Sequence, residues 1–241
     1  MFILNPSLDA QALADEFARH NRISIANFLD EKSAILLHQN LRSRTDWLEI
    51  FNDGDRLTEL NRAVQLSMTD GQKAALAEAI YANARDGFQY RYETIRVPDD
   101  ENARSAMDDI MAQFVTWLSS GEALAFLQKV TGKADIQFAD GQATAYSPGH
   151  FLTGHDDDFP GKHRRAAYIL GLTPVWRTEW GGLLLFHGVQ PDEAAALTPG
   201  FNRLNLFGVP QLHSVTEVTR AAAYRRYSVT GWLRGGNNFD E

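Results

Sequence analysis

The spacing of apolar residues changes along this chain. In the N-terminal half they recur at intervals of three and four, which is typical of helices with one buried face. The clearest such stripe comprises Met107, Ile110, Met111, Phe114, Val115 and Leu118. This pattern predicts a helix that faces the core.

Three further helices are predicted upstream of this stripe. Each begins at a residue whose side chain can accept a hydrogen bond from the first free backbone N–H groups of a helix. The expected capping residues are Ser7, Asp30 and Asp70, and the third helix is expected to end near Gly87. Short strands lie between them, around Ile23 and Ile25, over residues 47–51, and where Phe88, Tyr90 and Tyr92 alternate with polar residues.

From about Ile136 the pattern is almost entirely that of short strands separated by Pro and Gly. Strands are expected over residues 165–172, 182–186, 203–209, 214–218 and 224–233, and Asp140-Gly141 is typical of a hairpin turn. Helices followed by many short strands predict a mainly β fold with supporting helices. We expect a double-stranded β-helix (jelly-roll) barrel with the helices packed on one sheet. Residues 1–241 would then be one domain, with a helix-rich support over 1–135 and a jelly-roll core over 136–235.

Composition narrows the function classes. The chain has 241 residues, of which 44% are hydrophobic, which is enough for one substantial core. It has no cysteine, so disulfides and thiolate metal sites are excluded. The net charge of −8 disfavours a general phosphate-binding surface, and we expect no nucleic-acid partner. We find no apolar run of membrane-spanning length and no signal peptide, so we expect no membrane partner and a cytoplasmic location.

Two histidines and one aspartate suggest metal chemistry. His155 and Asp157 are two residues apart, so on a strand they would point to one face, and His213 follows several strands later. A lone His-x-Asp is more often a solvated acidic turn, and His213 alone is as readily a turn histidine. Together the three residues offer a set that leaves open positions on Fe(II). His150 is a weaker alternative ligand, because an offset of five places it on the opposite strand face from His155.

Arg226 provides an independent indication. On a strand, Arg226, Ser228, Thr230 and Trp232 share one face, whereas Arg225 and the residues that alternate with it share a more apolar face. A guanidinium beside small hydroxyl side chains suits a pocket for an anionic ligand, since Arg can grip a carboxylate through two parallel hydrogen bonds. The alternative is an exposed edge strand with Arg226 in solvent.

The ordered set of motifs from Gln142 to Arg234 resembles a known family. It comprises Tyr146-Ser147-Pro148-Gly149, His155-Asp156-Asp157, the strand over 165–172, Gly181 to Phe186, Asn202-Arg203-Leu204, His213-Ser214-Val215, and Arg226 to Trp232. This set resembles the Fe(II)/2-oxoglutarate-dependent dioxygenases of the prolyl-hydroxylase branch. Its arrangement is most similar to that of ribosomal-protein prolyl hydroxylases and their bacterial relatives.

The resemblance implies a role for each matching residue. His155, Asp157 and His213 would bind the iron, and Arg226 would bind the distal carboxylate of 2-oxoglutarate. The remaining implied pocket residues are Tyr146, which lines the cosubstrate pocket, Thr230, near the water network on the metal side, and Trp232, an aromatic at the cleft. Fe(II), 2-oxoglutarate and O2 would be required, and ascorbate is an auxiliary reductant that the resemblance allows.

One position departs from the family pattern. Gly171 stands where the family often has a second cosubstrate-binding tyrosine. Tyr168 is three residues earlier and on the opposite strand face, so it is not an obvious substitute.

The implied reaction is hydroxylation of a prolyl residue in a protein or peptide, with succinate and CO2 as co-products. Two alternatives are a hydroxylase of free proline or another small metabolite, and a non-catalytic jelly-roll binding protein. A protein substrate predicts an open cleft bordered by two loops, residues 158–164 and 173–180. The tryptophans of the second loop would otherwise simply cover the end of the barrel.

Overall fold

The structure is a computed structural model that describes residues 2–54, 56–190 and 192–236. These residues contain seven α-helices and thirteen strands. The helices are α1 (Ala10–His20), α2 (Glu31–Ser43), α3 (Arg62–Ser67), α4 (Asp70–Asp86), α5 (Glu101–Ser105), α6 (Ile110–Leu118) and α7 (Gly121–Thr131). The strands are β1 (Arg22–Ala26), β2 (Leu48–Asp53), β3 (Arg56–Asn61), β4 (Tyr90–Arg96), β5 (Ile136–Ala139), β6 (Gln142–Tyr146), β7 (Phe151–His155), β8 (Arg164–Gly171), β9 (Leu184–His187), β10 (Ala194–Leu197), β11 (Arg203–Gly208), β12 (His213–Val215) and β13 (Arg226–Gly235).

The strands form a jelly roll of two antiparallel sheets. One has the order β1-β11-β8-β13-β6, and the other has the order β7-β12-β9-β10. Strand β4 joins them at one edge, because its first residues pair with β7 and its last residues pair with β6. The N-terminal half therefore contributes β1, β2, β3 and β4 to the β-structure.

The helices pack on the outer face of the first sheet. Alternating residues of its strands, such as Leu170, Leu206 and Val229, join the apolar faces of α1, α2, α6 and α7 in the main core. The opposite face of the same strands looks toward the second sheet, where Phe207 meets Phe186 of β9. This alternation leaves the space between the sheets for the site. The predicted fold class is confirmed, and the single-domain boundaries stay a prediction.

Several helix ends differ from the expected ones by one turn or less. Asp9, rather than Ser7, caps α1 through the backbone N–H groups of Gln11 and Ala12. Asp30 caps α2 as expected, whereas α4 is capped by Thr69 in a capping box with Gln72. Asp109 caps α6, so Met107 of the predicted stripe precedes the helix.

The predicted hairpin at Asp140-Gly141 is wrong. Strands β5 and β6 lie end to end along the same side of β13 instead of pairing with each other. Asp140 stabilises the junction between β5 and β6, because its backbone N–H donates to the carbonyl of Trp232 and its carboxylate accepts the backbone N–H of Trp232 at 2.7 Å.

No single helix among the described residues is long and apolar enough to cross a membrane. Helices α6 and α7 would reach that length and composition only together, and the chain bends by 54° between them. The apolar side chains of both belong to the main core.

Candidate active site

Three metal-binding side chains converge where β7 and β12 pair. His155 is the last residue of β7 and His213 is the first residue of β12, and antiparallel pairing sets the two residues opposite each other. Asp157 lies beyond the strand, and its φ of 64° turns the chain back. The sequence spacing suggested that strand alternation brings Asp157 beside His155. In the structure a left-handed turn at Asp157 does this instead.

The geometry of the three residues suits a cation. The Nε2 atom of His155 lies 3.6 Å from Asp157 Oδ1, and that of His213 lies 3.5 Å from Asp157 Oδ2. One ligand atom from each of the three residues can be chosen so that all lie within 4.8 Å of one another. Among the described residues, this is the only such cluster of His, Cys, Asp and Glu.

Backbone carbonyls fix the orientation of both imidazoles. His155 Nδ1 lies 3.0 Å from the carbonyl oxygen of Thr153, and His213 Nδ1 lies 2.7 Å from that of Gln211. When Nδ1–H donates to a carbonyl, Nε2 carries the free lone pair that a metal needs. Burial, followed by the charge of His155, lowers the pKa of His213 to about 4, so this ring is neutral at pH 7.

His150 lies outside this cluster. It is buried beside Glu49, with Nε2 3.7 Å from Glu49 Oε1, in a separate cavity under α4. The preference for His155 over His150 therefore agrees with the geometry.

Arg226 points into the space between the sheets. Its side chain is 4% exposed, and its guanidinium carbon lies 4.9 Å from the centre of the Tyr146 ring. Its Nε has no hydrogen-bond partner within the described chain, so a buried cationic donor faces the cavity. The neighbouring Arg225 points the other way, where it forms an ion pair with Glu93 and lies over the Trp47 ring. The strand faces are therefore those that the sequence predicted.

One cavity of about 370 Å³ contains all seven predicted site residues. Its lining includes His155, Asp157, His213, Arg226, Tyr146, Thr230 and Trp232. The triad and Arg226 thus open into the same space. An anion held by the guanidinium can reach a metal held by the triad.

Comparison with known proteins agrees with this geometry. Residues 141–234 match the family model described as the 2OG-Fe(II) oxygenase superfamily. The matching segment is the one that carries the site. The match spans the triad and Arg226 and begins just before β6.

Proteins similar to this chain include a curated protein and many solved structures. Over 118 residues it is 34% identical to prolyl 3-hydroxylase OGFOD1 of Mus musculus, a match that covers 46% of this chain but only 21% of the mouse protein. The chain thus spans about a fifth of that relative.

Two solved prolyl hydroxylases share its fold. A prolyl-4-hydroxylase of Pseudomonas putida superimposes with a TM-score of 0.58 at 16% identity, over 95% of this chain and all of that one. A prolyl hydroxylase of Trichoplax adhaerens, in complex with a hypoxia-inducible-factor peptide fragment, superimposes with a TM-score of 0.55 at 16% identity. This match covers 94% of this chain and 89% of that one.

The donor set of this site fits the metal that the matching family implies. Two imidazoles and one carboxylate on one side of an ion leave the other side open, which is the arrangement of non-haem Fe(II) oxygenases. The buried Arg226 guanidinium, whose Nε has no partner in the described chain, fits the carboxylate of 2-oxoglutarate equally well.

The absence of a second tyrosine at Gly171 has a steric cause. A Cβ atom at Gly171 would lie 2.2 Å from the carbonyl oxygen of Gly200, so no side chain fits there. Tyr168 is no substitute, because its ring is buried among the helices and its hydroxyl donates to the carbonyl of Asp140.

Sequence reasoning missed a tyrosine from the N-terminal half. Tyr92 of β4 lines the same cavity and stacks on Tyr146, with ring centres 5.1 Å apart and planes at 16°. Burial raises its pKa to about 12, so it is a neutral hydroxyl. The alternating Tyr90 and Tyr92 were the available signal, which indicated a half-buried strand without indicating what that strand faces.

The mouth of the cavity is bordered by only one of the two expected loops. Asp158, Phe159 and Arg164 line it, whereas no residue of 173–180 does. Trp176 instead donates its indole N–H to the carbonyl of Gly181 and packs edge-to-face on Trp180. The second loop therefore covers the end of the barrel, and the expectation that it borders the mouth is wrong.

Proposed function

We propose that this protein is an Fe(II)- and 2-oxoglutarate-dependent hydroxylase that acts on a prolyl residue in a protein or peptide. The observation that carries the proposal is the single cavity in which Arg226 faces the His155, Asp157 and His213 cluster. Similarity to proteins named as prolyl hydroxylases supports the choice of proline.

The proposed roles follow from position. His155, Asp157 and His213 hold Fe(II), while Arg226 binds the distal carboxylate of 2-oxoglutarate beside the Tyr146 ring. Thr230 and Trp232 form the wall across which the substrate approaches. The triad and Arg226 keep the cosubstrate in one orientation, and the surrounding apolar rings exclude water.

Bound Fe(II) supplies the redox chemistry that couples decarboxylation of 2-oxoglutarate to oxidation of a substrate C–H bond. One oxygen atom of O2 enters succinate and the other enters the substrate, with CO2 released. The protein's own contribution is to place one C–H bond near the metal. Ascorbate as an auxiliary reductant, the cytoplasmic location and the lack of nucleic-acid or membrane partners stay predictions.

A protein or peptide substrate is favoured by the exposed aromatic residues at the mouth. Phe88 and Phe159 line the cavity but are 51% and 61% exposed. Large apolar side chains left in solvent beside a cavity suit contact with a polypeptide. A small metabolite would instead need a pocket that encloses most of its surface.

The experiment is a turnover assay with Fe(II) and 2-oxoglutarate. Succinate release is measured with proline-containing peptides and with free proline, and mass spectrometry locates the added oxygen. We expect hydroxyproline in peptides. Turnover of free proline alone would overturn the substrate class, whereas binding of 2-oxoglutarate without any turnover would favour the binding-protein alternative.

A further inference from the structure

A second, smaller cavity opens from the wall of the active site. It has a volume of about 180 Å³, and we call it the annex. The annex and the active-site cavity share the lining residues Arg96, Gln142, Arg164, Thr230, Gly231 and Trp232. The annex therefore adjoins the space in which a substrate would lie.

The annex is lined by more cations than anions. Its basic residues are Arg96, Lys162, Arg164 and Arg234, and its acidic residues are Asp99 and Asp140. Both acidic residues are bound to the same partner, because Arg234 lies 3.0 Å from Asp99 and 3.5 Å from Asp140. The other three basic residues have no acidic partner in the annex, although Arg164 lies 3.8 Å from Oδ1 of Asp157 in the active site.

Two of these cations are exposed. Arg96 ends β4 and Lys162 lies in the loop before β8, and neither makes an ion pair with another described residue. Both line the annex, so their charges face the space into which a ligand would extend.

Arg164 is held rigidly at the junction of the two cavities. Its guanidinium lies 3.5 Å from the centre of the Trp232 ring, and it donates to the backbone carbonyl of Asp157 at 3.0 Å. Its Nε is buried and has no hydrogen-bond partner in the described chain. A guanidinium held flat in this way loses little side-chain entropy when it binds an anion.

The acidic residues of the mouth are kept apart from the annex. Asp156 and Asp158 line the active-site cavity but not the annex. The carboxylate of Asp140 is already engaged within the fold, since it accepts the backbone N–H of Trp232 and lies 3.5 Å from Arg234. The charge around the active site is therefore divided into an acidic part and a basic part.

We propose that the annex is a subsite for a carboxylate of the substrate polypeptide, placed close in sequence to the residue that is hydroxylated. The inference rests on the proposed function and adds a charge requirement to it. An acidic side chain or the C-terminal carboxylate of a peptide would place its oxygens among Arg96, Lys162 and Arg164. Electrostatic complementarity of this kind selects among substrates more than it adds affinity.

The test uses short, proline-centred peptides. A single Asp is moved through the three positions on either side of the proline, since three extended residues span at most about 10 Å. Each peptide is compared with its Asn counterpart, which has the same shape and no charge. Each is also made with a free and with an amidated C-terminus, which separates a side-chain carboxylate from a terminal one.

We expect Asp at one or more positions, or the free C-terminus, to raise kcat/KM about tenfold over the uncharged counterpart. A tenfold change corresponds to about 1.4 kcal/mol, which is of the order that a pair of exposed ionic contacts supplies. Equal kcat/KM for charged and uncharged peptides at every position would overturn the proposal. If no peptide is hydroxylated although 2-oxoglutarate is bound, the proposed function fails and this inference fails with it.

Charge reversal provides the specific control. In a double variant, Arg96→Glu with Lys162→Glu, the ratio of kcat/KM for the Asp peptide to that for the Asn peptide should fall below one, and a Lys peptide should become preferred. Lys129→Glu, on the exposed surface of α7, should leave the ratio unchanged. Because each ratio is taken within one protein, loss of overall activity does not affect it. If the charge reversal impairs folding, the double variant Arg96→Gln with Lys162→Gln replaces it in the same comparison. An unchanged ratio in both double variants would overturn the assignment of these residues.

Discussion

Arg226 is a buried cation without a buried anion beside it in the described chain. Its guanidinium contacts the ring and hydroxyl of Tyr146, and its Nε has no partner among the described residues. Removing a guanidinium from water costs several kcal/mol unless a partner offsets the loss. The fold therefore holds Arg226 in a state that a bound carboxylate would stabilise.

Replacing this guanidinium should weaken cosubstrate binding. We expect Arg226→Ala to raise the Kd of 2-oxoglutarate by about 10- to 100-fold, because a hydrogen bond to a charged group contributes about 1.5–3 kcal/mol. Isothermal titration calorimetry with the Mn(II)-loaded protein measures this without turnover. Arg225→Ala is the matched control and should leave the Kd unchanged. The reverse outcome would mean that β13 presents the other face to the cavity.

His150 is a second residue whose surroundings decide its behaviour. Burial, followed by the positive charge of Arg91, lowers the pKa of His150 to about 3, against 6.5 for a free histidine. The unfolded chain therefore binds a proton at His150 between pH 6.5 and pH 3, while the folded chain does not. Stability must fall as the pH is lowered through this window.

Substituting His150 should flatten that dependence. Between pH 7 and pH 5 the wild-type free energy of unfolding should fall by up to about 2 kcal/mol through this residue, since one pKa unit corresponds to about 1.4 kcal/mol. Urea unfolding of His150→Gln at both pH values should show a smaller fall. His20→Gln, at an exposed position, is the control. An identical pH dependence in wild type and His150→Gln would contradict the prediction.

At the scale of elements, the close approach of β8 to the segment before β11 depends on one missing side chain. Gly171 ends β8 on the cavity face, because it pairs with Ser228 of β13. The carbonyl oxygen of Gly200 occupies the space that a Cβ at Gly171 would need. The family's second tyrosine is thus incompatible with this backbone.

Adding a methyl group at this contact should destabilise the protein. We expect Gly171→Ala to lower the free energy of unfolding by about 1–3 kcal/mol, because backbone must shift to relieve the overlap. Gly71→Ala, in the first turn of α4, meets its nearest atom only at 3.9 Å and should be neutral or slightly stabilising. Urea denaturation of both variants measures the difference, and equal stabilities would argue that β8 and Gly200 are further apart.

Elements were predictable where their signals are local. Asp30 caps α2 because a side chain and a backbone N–H three residues away suffice for the contact. Asp140-Gly141 failed as a hairpin because the contact that decides its conformation, with Trp232, lies 92 residues away in sequence. An alternating strand pattern could not predict the left-handed backbone at Asp157 either, although it did indicate that this residue belongs to the cluster.

At the scale of the molecule, the site depends on pairing between distant strands. The sequence indicated which residues meet, through an ordered set of motifs over Gln142 to Arg234. It did not indicate that Tyr92 would stack on Tyr146, because that contact requires β4 to join the two sheets. Long-range pairing of this kind leaves no local periodicity to detect.

The same dependence predicts that a metal ion stabilises the whole fold. His155 and His213 belong to two paired strands, and Asp157 to the loop that follows the first of them, so one ion would tie three segments together. A ligand that binds only the folded state, at a concentration of a hundred times its Kd, raises the free energy of unfolding by about 2.7 kcal/mol. For a chain of this size that corresponds to a rise in Tm of about 5–10 °C.

Differential scanning calorimetry with and without Mn(II), an ion that resists oxidation, measures this shift. We expect Asp157→Ala to abolish it, since removal of the only carboxylate leaves two imidazoles. Asp156→Ala should retain it, because that side chain is exposed and accepts the backbone N–H of Asp158. If Asp156→Ala lost the shift and Asp157→Ala retained it, Asp156 would be the carboxylate ligand. The loop between β7 and β8 would then have a different conformation from the one described here.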